Sequence, residues 1–359
     1  MIKIIDRYLL KYFLISLILM TLAIGALIVI INMVEQLRDF IDHNVPLSEI
    51  FIYYFYFSGW ILKSFLPVFV LLAALTSIGI LARRNEILAM KASGLSLYRI
   101  AMPFLIFTFL LSLAHIYYNE EIFPEGNKRR IEIKEYNIKK RSDRTKKLIG
   151  PIQMQVNKSL FFTIKSYHID RKIGNDVKIY QADKSRLAEL ISAKEIRFTE
   201  KNWMLYDGMK RVFTDSGGSF TTFDSLNAAF ITYKPADFEV PTGNPEDLGY
   251  LELQQRINLK KQGGEPFTHE LVDLKLKLSY PFSSFIVILI CVPIASNPKR
   301  GGVAVSFAVG AGIALVYFVA FKITQSFGYN EKLHPDLAAW LINGIFLLIG
   351  MVIMARSRK

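Results

Sequence analysis

The sequence has little of what several common functional sites require. Its 359 residues include one cysteine, Cys291, so no intramolecular disulfide can form and no cysteine cluster can hold a metal ion. No G-x-x-x-x-G-K-[ST] segment is present, so the chain lacks the phosphate-binding loop of many ATPases. The net charge of +13 is not accompanied by an RNA- or DNA-binding signature. These absences point away from disulfide scaffolds, P-loop ATPases and proteins with a nucleic-acid partner.

Two groups of residues resemble incomplete metal sites. His269 and Glu270 begin like the helix of a zinc protease, but the second histidine that this motif requires one turn later is absent. His115 lies close in sequence to Glu120 and Glu121, at the end of an apolar run. A metal site and an ordinary helix end at the membrane interface both fit these residues, and the helix end is the simpler explanation. We expect no catalytic residue, no metal site and no cofactor.

Apolar residues, in contrast, are abundant and clustered. Hydrophobic residues make up 52% of the chain. A helix needs about 20 mainly apolar residues to cross a bilayer. The runs long enough to do so are Phe13–Met33, Phe51–Ala82, Ile100–Tyr118, Leu278–Ser296, Val303–Phe321 and Leu337–Ala355. The sequence therefore predicts six transmembrane helices, three before and three after one large soluble segment.

The charges of the short loops predict the orientation of these spans. Lysine and arginine are concentrated before span 1, between spans 2 and 3, between spans 4 and 5, and after span 6. The opposite loops, residues 34–49 and 328–336, hold only Arg38 and Lys332 beside several acidic residues. Because basic short loops stay in the cytoplasm, both termini are expected there. The large middle segment is then expected on the outer side, since long domains cross largely regardless of charge.

The middle segment, residues 119–270, contains no spanning run. It begins with Glu125–Lys147, whose lysines and arginines at helical spacing predict a basic stalk that extends span 3. Strand-like sequence follows Gly150, and Lys194–Thr214 predicts a hairpin. Short strands without intervening helices are typical of an antiparallel sandwich or open barrel. A short helix, Leu251–Leu259, is expected to lead the chain back to the membrane. The expected domains are residues 1–118, 119–270 and 271–359.

The loop between spans 2 and 3, near residues 83–95, is too polar to cross the membrane and rich in helix-forming residues. Gly94 is placed to end a short helix, and Ser96 is placed to cap the next one. A short amphipathic helix held between two spans is well placed to dock into a groove on a cytoplasmic partner. A plain connector at the membrane surface is an equally good interpretation.

Several basic residues lie in or near the predicted spans. Lys63 interrupts an otherwise apolar run, where a charge usually faces a cavity or a ligand. Snorkelling to the interface is an equally good interpretation, because this run is longer than a bilayer requires. Arg38, Arg129 and Arg130 are candidates to bind an anionic amphiphile, since guanidinium groups bind phosphate bidentately. A solvated basic surface is the more common explanation for such residues.

Small residues recur on span 5, where Ala304, Ala308 and Gly312 are spaced four residues apart. Small side chains along one helix face allow another helix to approach closely. That other helix can belong to this chain or to a second subunit across a movable interface. The sequence by itself favours packing within this chain.

Several segments resemble one family over nearly the whole chain. They are residues 5–9 (IDRYL), 35–39 (EQLRD), 84–94 (RNEILAMKASG), 269–271 (HEL) and 333–340 (LHPDLAAW), together with Tyr280, Pro281, Pro293 and Asn343. These segments are similar to the LptF/LptG permeases of lipopolysaccharide export, also called the YjgP/YjgQ family. Residues 5–9 and 337–340 are more similar to the LptG branch than to the LptF branch.

The resemblance implies a fold and a set of partners. The expected fold class is an α-helical membrane protein with six transmembrane helices and an inserted all-β, jelly-roll-like periplasmic domain. The partners implied are a second LptF/LptG-type permease and a dimer of the cytoplasmic ATPase LptB. Lipopolysaccharide would be drawn from the inner membrane of a Gram-negative bacterium and passed to a periplasmic bridge that begins with LptC.

The resemblance also implies roles for individual residues. The segment 84–94 would be the coupling helix that contacts the ATPase, with Arg84, Glu86, Met90 and Gly94 as its candidate residues. Arg38 falls where the family places bases against the phosphates of the lipid, although the neighbouring Asp39 departs from that pattern. Lys63, Arg129 and Arg130 align only approximately with other such positions. Spans 1 and 5 would form a lateral gate, with Ala304, Ala308 and Gly312 on its face.

Two other classes of function compete with a permease subunit. One is a membrane scaffold that transports nothing and recruits envelope proteins through its outer domain. The other is a secondary transporter, which would require symmetry between the helix triplets and coupling ions near the midplane. The sequence shows neither of these two features, and most spans carry no ionisable group.

Overall fold

The computed structural model describes residues 4–138, 148–149, 151–157, 159–183, 186–199, 202–214, 217–238, 244–296 and 302–357. The chain divides into two compact units. The helical unit comprises residues 1–139, 245–250 and 271–359. The β unit comprises residues 140–244 and 251–270. Each unit is described separately below.

Long helices dominate the helical unit. The α-helices of both units, in chain order, are α1 (Ile4–Asp42), α2 (Leu47–Arg83), α3 (Glu86–Ala92), α4 (Leu97–Tyr117), α5 (Phe123–Glu132), α6 (Tyr250–Gly263, almost wholly in the β unit), α7 (Thr268–Ser279), α8 (Ser283–Ala295), α9 (Gly302–Tyr329) and α10 (Pro335–Arg356). Turns of π-helix at Tyr118–Ile122 and Ile133–Ile138 follow α4 and α5, so the helix that begins at Leu97 continues to Ile138. Residues 139–147 of the predicted stalk lie outside the described residues.

The predicted membrane spans correspond to these helices, with one difference. Five helical segments are long and apolar enough to cross a membrane, and a sixth is obtained if α7 and α8 form one broken span. The predicted fourth span, Leu278–Ser296, is therefore not one straight helix, because α7 and α8 meet at a bend of 50°. Pro281 lies at that bend. Its ring removes a backbone donor and disfavours a helical conformation at Tyr280, which explains the break.

The packing of the spans is uneven. In the most apolar window of α2, 67% of the residues are buried, whereas in that of α1 only 6% are. Almost every residue of α8 is buried, although this helix has only 13 residues. Helices α2 and α8 therefore form the centre of the helical unit. Helix α1 presents most of its apolar surface outwards, where lipid or another protein must cover it.

The β unit contains one antiparallel sheet. Its strands are β1 (Leu148–Ile149), β2 (Ile152–Asn157), β3 (Leu160–His168), β4 (Ile173–Asp183), β5 (Arg186–Thr199), β6 (Asn202–Thr214) and β7 (Gly217–Asn227). Strands β3 to β7 are neighbours in chain order, and β1 and β2 both pair with β3. The predicted hairpin is confirmed, since β5 and β6 pair up to Thr199 and Asn202. An antiparallel β-sheet inserted between helical segments confirms the expected fold class.

Trp203 is at the centre of the core of the β unit. It is 1% exposed, and its ring packs against Tyr167 and Phe238. The indole N–H donates a hydrogen bond to the main-chain oxygen of Tyr233 at 2.7 Å. The side chain thus fills the core while its one polar atom is satisfied, as a buried tryptophan requires.

Replacing Trp203 with alanine should destabilise the β unit by about 3–5 kcal/mol, because the large cavity left behind cannot fully collapse. The expected result is much faster cleavage within the β unit during limited proteolysis of the full-length protein in detergent. Phe220→Ala is the matched control, since Phe220 is 73% exposed on β7 and its removal leaves no cavity. Equal protease resistance of the two variants would contradict the role assigned to Trp203.

Candidate functional site

The helical unit contains an apolar cavity of about 640 Å³. Its walls come mainly from α2, α7 and α9, and they include Trp60, Phe65, Leu72, Leu315, Phe318 and Phe321. A volume of this size is within the usual range for ligand sites. Walls of this kind favour hydrocarbon, because apolar surface that leaves water contributes about 25 cal/mol per Å².

Lys63 lies on the lining of this cavity, with its side chain only 16% exposed. Its ammonium group donates to the main-chain oxygen of Glu246 and lies 3.4 Å from Asp247 Oδ1. The same nitrogen stands 4.3 Å from the centre of the Phe123 ring, a cation–π contact. Of the two interpretations of Lys63, the structure therefore supports a charge that faces a cavity.

Polar side chains from α7 and α9 lie at the same end of the cavity as Lys63, and this end is called the charged rim. The side-chain amide of Gln325 donates to Glu246 Oε1 at 3.1 Å and to the hydroxyl of Tyr329 at 2.7 Å. Tyr329 in turn donates to Asp273. Lys322 donates to Gln325 Oε1 at 2.7 Å. One end of an apolar cavity thus carries a connected set of lysine, carboxylate and amide groups.

Sequence reasoning missed two cations of the cavity, Lys277 and Lys322. Each lies one residue outside a predicted span and therefore reads as an ordinary flanking charge. A signal for Lys322 was present, because its spacing from Leu315 and Phe318 places all three on one face of a helix. Lys277 is 8% exposed and pairs with Glu120 at 3.1 Å, a contact between distant segments that no local pattern reveals.

The other predicted cations do not line the cavity. The side chain of Arg38 is 90% exposed and lies 3.6 Å from Asp42, one turn further along α1. Arg129 is 60% exposed and pairs with Glu132 on its own helix. Arg130 stands 5.9 Å from the ring of Trp60, which does line the cavity. The structure therefore brings only Arg130 near the cavity wall.

The small residues of α9 are on two different faces. Ala308 and Gly312 are exposed, and a Cβ atom added to Gly312 would meet nothing within 4 Å. Gly310, in contrast, is buried, and a Cβ atom there would lie 2.4 Å from Leu75 of α2. Close packing within this chain is thus made by Gly310, while Ala308 and Gly312 face outwards. The side chain of Ala304 lies outside the described residues.

The loop between α2 and α4 contains the predicted short helix, α3. Gly94 has a positive φ of 88° and ends it. The amide of Leu95 donates to the oxygen of Met90 at 3.1 Å, and that of Gly94 donates to Lys91 at 3.0 Å, which is a Schellman motif. The hydroxyl of Ser96 then accepts a hydrogen bond from the amide of Arg99 and caps α4, as predicted.

Helix α3 has one buried and one exposed apolar side chain next to each other. Ile87 is 1% exposed and belongs to the core of the helical unit, with Met90 partly buried against the same core. Leu88 is 64% exposed. Packing of Ile87 fixes α3 on the helical unit, and Leu88 then points away from it. Sequence reasoning missed Leu88, because a seven-residue helix is too short for its outer face to be read from periodicity.

Glu86 is held within the chain. It accepts a hydrogen bond from the hydroxyl of Tyr8 at 2.6 Å, and Arg84 lies 4.0 Å away. Arg84 also donates to the hydroxyl of Tyr12 at 3.1 Å. Both tyrosines are on α1, so Arg84 and Glu86 connect α3 to the first turns of α1.

In the described part of the chain, no group of three or more histidine, cysteine, aspartate or glutamate residues is placed to hold a metal ion. His115 is 3% exposed within α4. Glu270 is 2% exposed and is bound by Arg256 at 3.2 Å and Lys260 at 2.7 Å. The histidine–glutamate pair that resembles a zinc-protease helix thus places its glutamate in an ion-pair cluster.

These features define a class: a multi-pass membrane protein with an apolar cavity, a charged rim and an inserted β unit. Comparison with known families agrees with that class. The model described as "Lipopolysaccharide export system permease LptF/LptG" matches residues 7–356, and the chain belongs to this family. The family and the apolar helices together indicate a multi-pass inner-membrane protein.

The individual relatives are distant in sequence, but their alignments with this chain cover most of both proteins. The chain is 21% identical over 305 residues to the permease protein LptG of Escherichia coli K12, covering 82% of this chain and 81% of that protein. It is 24% identical over 300 residues to LptF of the same organism, covering 80% and 77%. LptF of Shigella flexneri gives the same values. These identities do not separate the two branches of the family.

Proposed function

We propose that this chain is the transmembrane permease subunit of an ATP-driven transporter, which extracts lipopolysaccharide from the inner membrane and passes it to a periplasmic bridge. The cavity is the observation that carries this proposal. It combines apolar walls with three lysines, Lys63, Lys277 and Lys322. Lipopolysaccharide has the matching chemistry, since its acyl chains require an apolar surface and its phosphates require cations.

A second LptF/LptG-type permease is proposed to complete the cavity. Leu315 lines the cavity and is also 66% exposed, so the cavity reaches the outer surface of α9. Ala308 and Gly312 lie on exposed positions of the same helix. The largely uncovered α1 and the small residues of α9 support a lateral gate between subunits, because small side chains permit close and changeable helix contact.

The ATP-hydrolysing partner is proposed to be a dimer of LptB that docks on α3. Lys63 lies about 30 Å along α2 from the end of that helix at Arg83, since a helix rises about 1.5 Å per residue. That length is about the thickness of the hydrocarbon core of a bilayer. Helix α3 and the charged rim therefore belong on opposite sides of the membrane. This arrangement supports cytoplasmic termini and a periplasmic β unit that delivers lipid to an LptC-type bridge.

A photocrosslinking experiment tests the proposal. A benzophenone amino acid at Leu315, which lines the cavity, should capture lipopolysaccharide in cells of a Gram-negative bacterium. The matched control is the same substitution at Leu348, which is 61% exposed on α10 and does not line the cavity. Capture at Leu315 and not at Leu348 supports passage of the lipid through the cavity. If neither site captures it in an assembled complex, the scaffold function is favoured instead.

A further inference from the structure

Lys63 already has an anionic partner within its own chain. The partner is the turn Pro245–Asp247, which belongs to the helical unit and supplies both Asp247 and the main-chain oxygen of Glu246. The side chains of Lys63 and Asp247 are only 16% and 10% exposed, so solvent screens this pair little. A phosphate that approaches Lys63 therefore meets a lysine whose charge is already neutralised.

The same turn is also bound by a second helix of the cavity wall, α9. Gln325 of α9 donates to the carboxylate of Glu246 at 3.1 Å. Lys63 is on α2, so the turn connects α2 and α9 at the rim, and both Glu246 and Gln325 line the cavity. These contacts place the turn where the head group of a lipid would be bound if its acyl chains filled the cavity.

We propose that the turn Pro245–Asp247 is an internal competitor for the phosphate of the lipid at Lys63. When a phosphorylated lipid enters, its phosphate replaces Asp247 as the counter-ion of Lys63 and the turn leaves the rim. When the lipid departs, Asp247 returns. The inference rests on the proposed function, because it takes a phosphorylated lipid as the ligand of this cavity.

Two physical reasons support an exchange of partners. A lysine buried to this extent is costly without a counter-ion, so Asp247 stabilises the empty cavity. Phosphate binding favours departure of that counter-ion, since the two anions would repel each other at the same ammonium group. The competitor therefore lowers the affinity for the lipid and favours its release, as transport requires. Because the β unit continues on both sides of residues 245–250, the exchange occurs in a segment joined covalently to it.

Binding of defined lipids to the purified full-length complex tests this competition. The probes are lipid A with two phosphates and the same lipid A without phosphates, each titrated into nanodiscs of phosphatidylcholine. We expect Asp247→Asn to bind phosphorylated lipid A about tenfold more tightly, which is within the range of coupling energies of contacting residues. Its affinity for the dephosphorylated probe should not change. In a Lys63→Gln background, Asp247→Asn should have no effect.

Two further variants control for charge and fold. Asp247→Glu keeps the carboxylate and should gain less affinity for phosphorylated lipid A than Asp247→Asn does. Asp336→Asn removes the carboxylate of another lysine pair of the helical unit, with Lys275 at 2.8 Å and away from the cavity, and should change nothing. If Asp247→Asn does not fold, hydrogen–deuterium exchange of residues 245–250 in the wild type tests whether the turn leaves the rim. Phosphorylated lipid A should accelerate it, and the dephosphorylated probe should not.

The outcomes separate the competition from the proposed function. Unchanged or weaker lipid A binding by a folded Asp247→Asn variant overturns the competition while the permease proposal stands. An equal gain in the Lys63→Gln background overturns it too, because the effect would then not pass through Lys63. The competition is also overturned if phosphorylated lipid A binds but hydrogen–deuterium exchange at residues 245–250 does not become faster. Failure of the wild type to bind either probe contradicts the proposed function itself.

Discussion

Replacing Leu88 with glutamate is expected to abolish co-purification of the proposed cytoplasmic ATPase while the permease itself remains folded. Leu88 is 64% exposed on α3 and is not part of the apolar core that contains Ile87. A carboxylate placed at the centre of an apolar docking contact would lose its water without gaining a partner, and such losses at interface centres cost about 2–4 kcal/mol or more. The measurement is the ratio of ATPase to permease after affinity purification.

Leu187→Glu is the matched control for Leu88→Glu. It introduces the same change at another exposed leucine, 40% accessible on β5 in the β unit. This variant should retain the ATPase. If Leu88→Glu also retained it, α3 would be a connector rather than a docking helix, and the proposed coupling would lose its basis. Leu88 is a sharper probe than Glu86, because Glu86 is bound to Tyr8 and its replacement would also disturb α1.

Gly310→Leu and Gly312→Leu, two residues apart on α9, are expected to have different defects. The first should lose stability, and the second should lose assembly. At Gly310 the first added atom would lie 2.4 Å from Leu75, so the larger side chain must push α9 away from α2. Overpacking of this kind typically costs about 1–3 kcal/mol. We expect a lower thermal unfolding temperature in detergent for Gly310→Leu, together with loss of the cavity wall.

Gly312→Leu is expected to leave the unfolding temperature nearly unchanged, since nothing lies within 4 Å of the added atom. Its defect should appear only in assembly, as reduced co-purification of the proposed second permease. The two measurements together decide which face of α9 is used within the chain and which between chains. Normal assembly of Gly312→Leu would remove this face from the proposed gate, and a normal unfolding temperature for Gly310→Leu would contradict its close packing.

The features that were predicted correctly from the sequence depend on residues that are close together along the chain. Each long apolar run predicted a helix because about 20 apolar residues form a span wherever they occur. The hairpin between β5 and β6 and the end of α3 at Gly94 follow from local turn and cap chemistry. Hydropathy could not show the bend near Pro281, because a sum over a window does not contain the geometry of one residue.

The cavity depends on contacts between distant parts of the chain. Lys63 and Asp247 are separated by 184 residues and meet only because the turn at residues 245–247 returns to α2. Gly310 and Gly312 are equivalent as letters of a sequence, but only one of them faces α2. Likewise, Arg38 and Lys63 are both candidate cations by composition, while burial places only Lys63 on the cavity.

The sequence by itself determined the class of this protein: the membrane spans, the inserted β unit, and the motifs that resemble the family now shown by its match over residues 7–356. Those properties follow from periodicity, hydropathy and short motifs, which can be recognised without knowledge of long-range contacts. Only the tertiary structure decided which charges share a cavity, which glycine packs against α2, and which apolar side chain of α3 is exposed. These depend on the direction each side chain takes once helices pack, and packing is set by the whole chain at once.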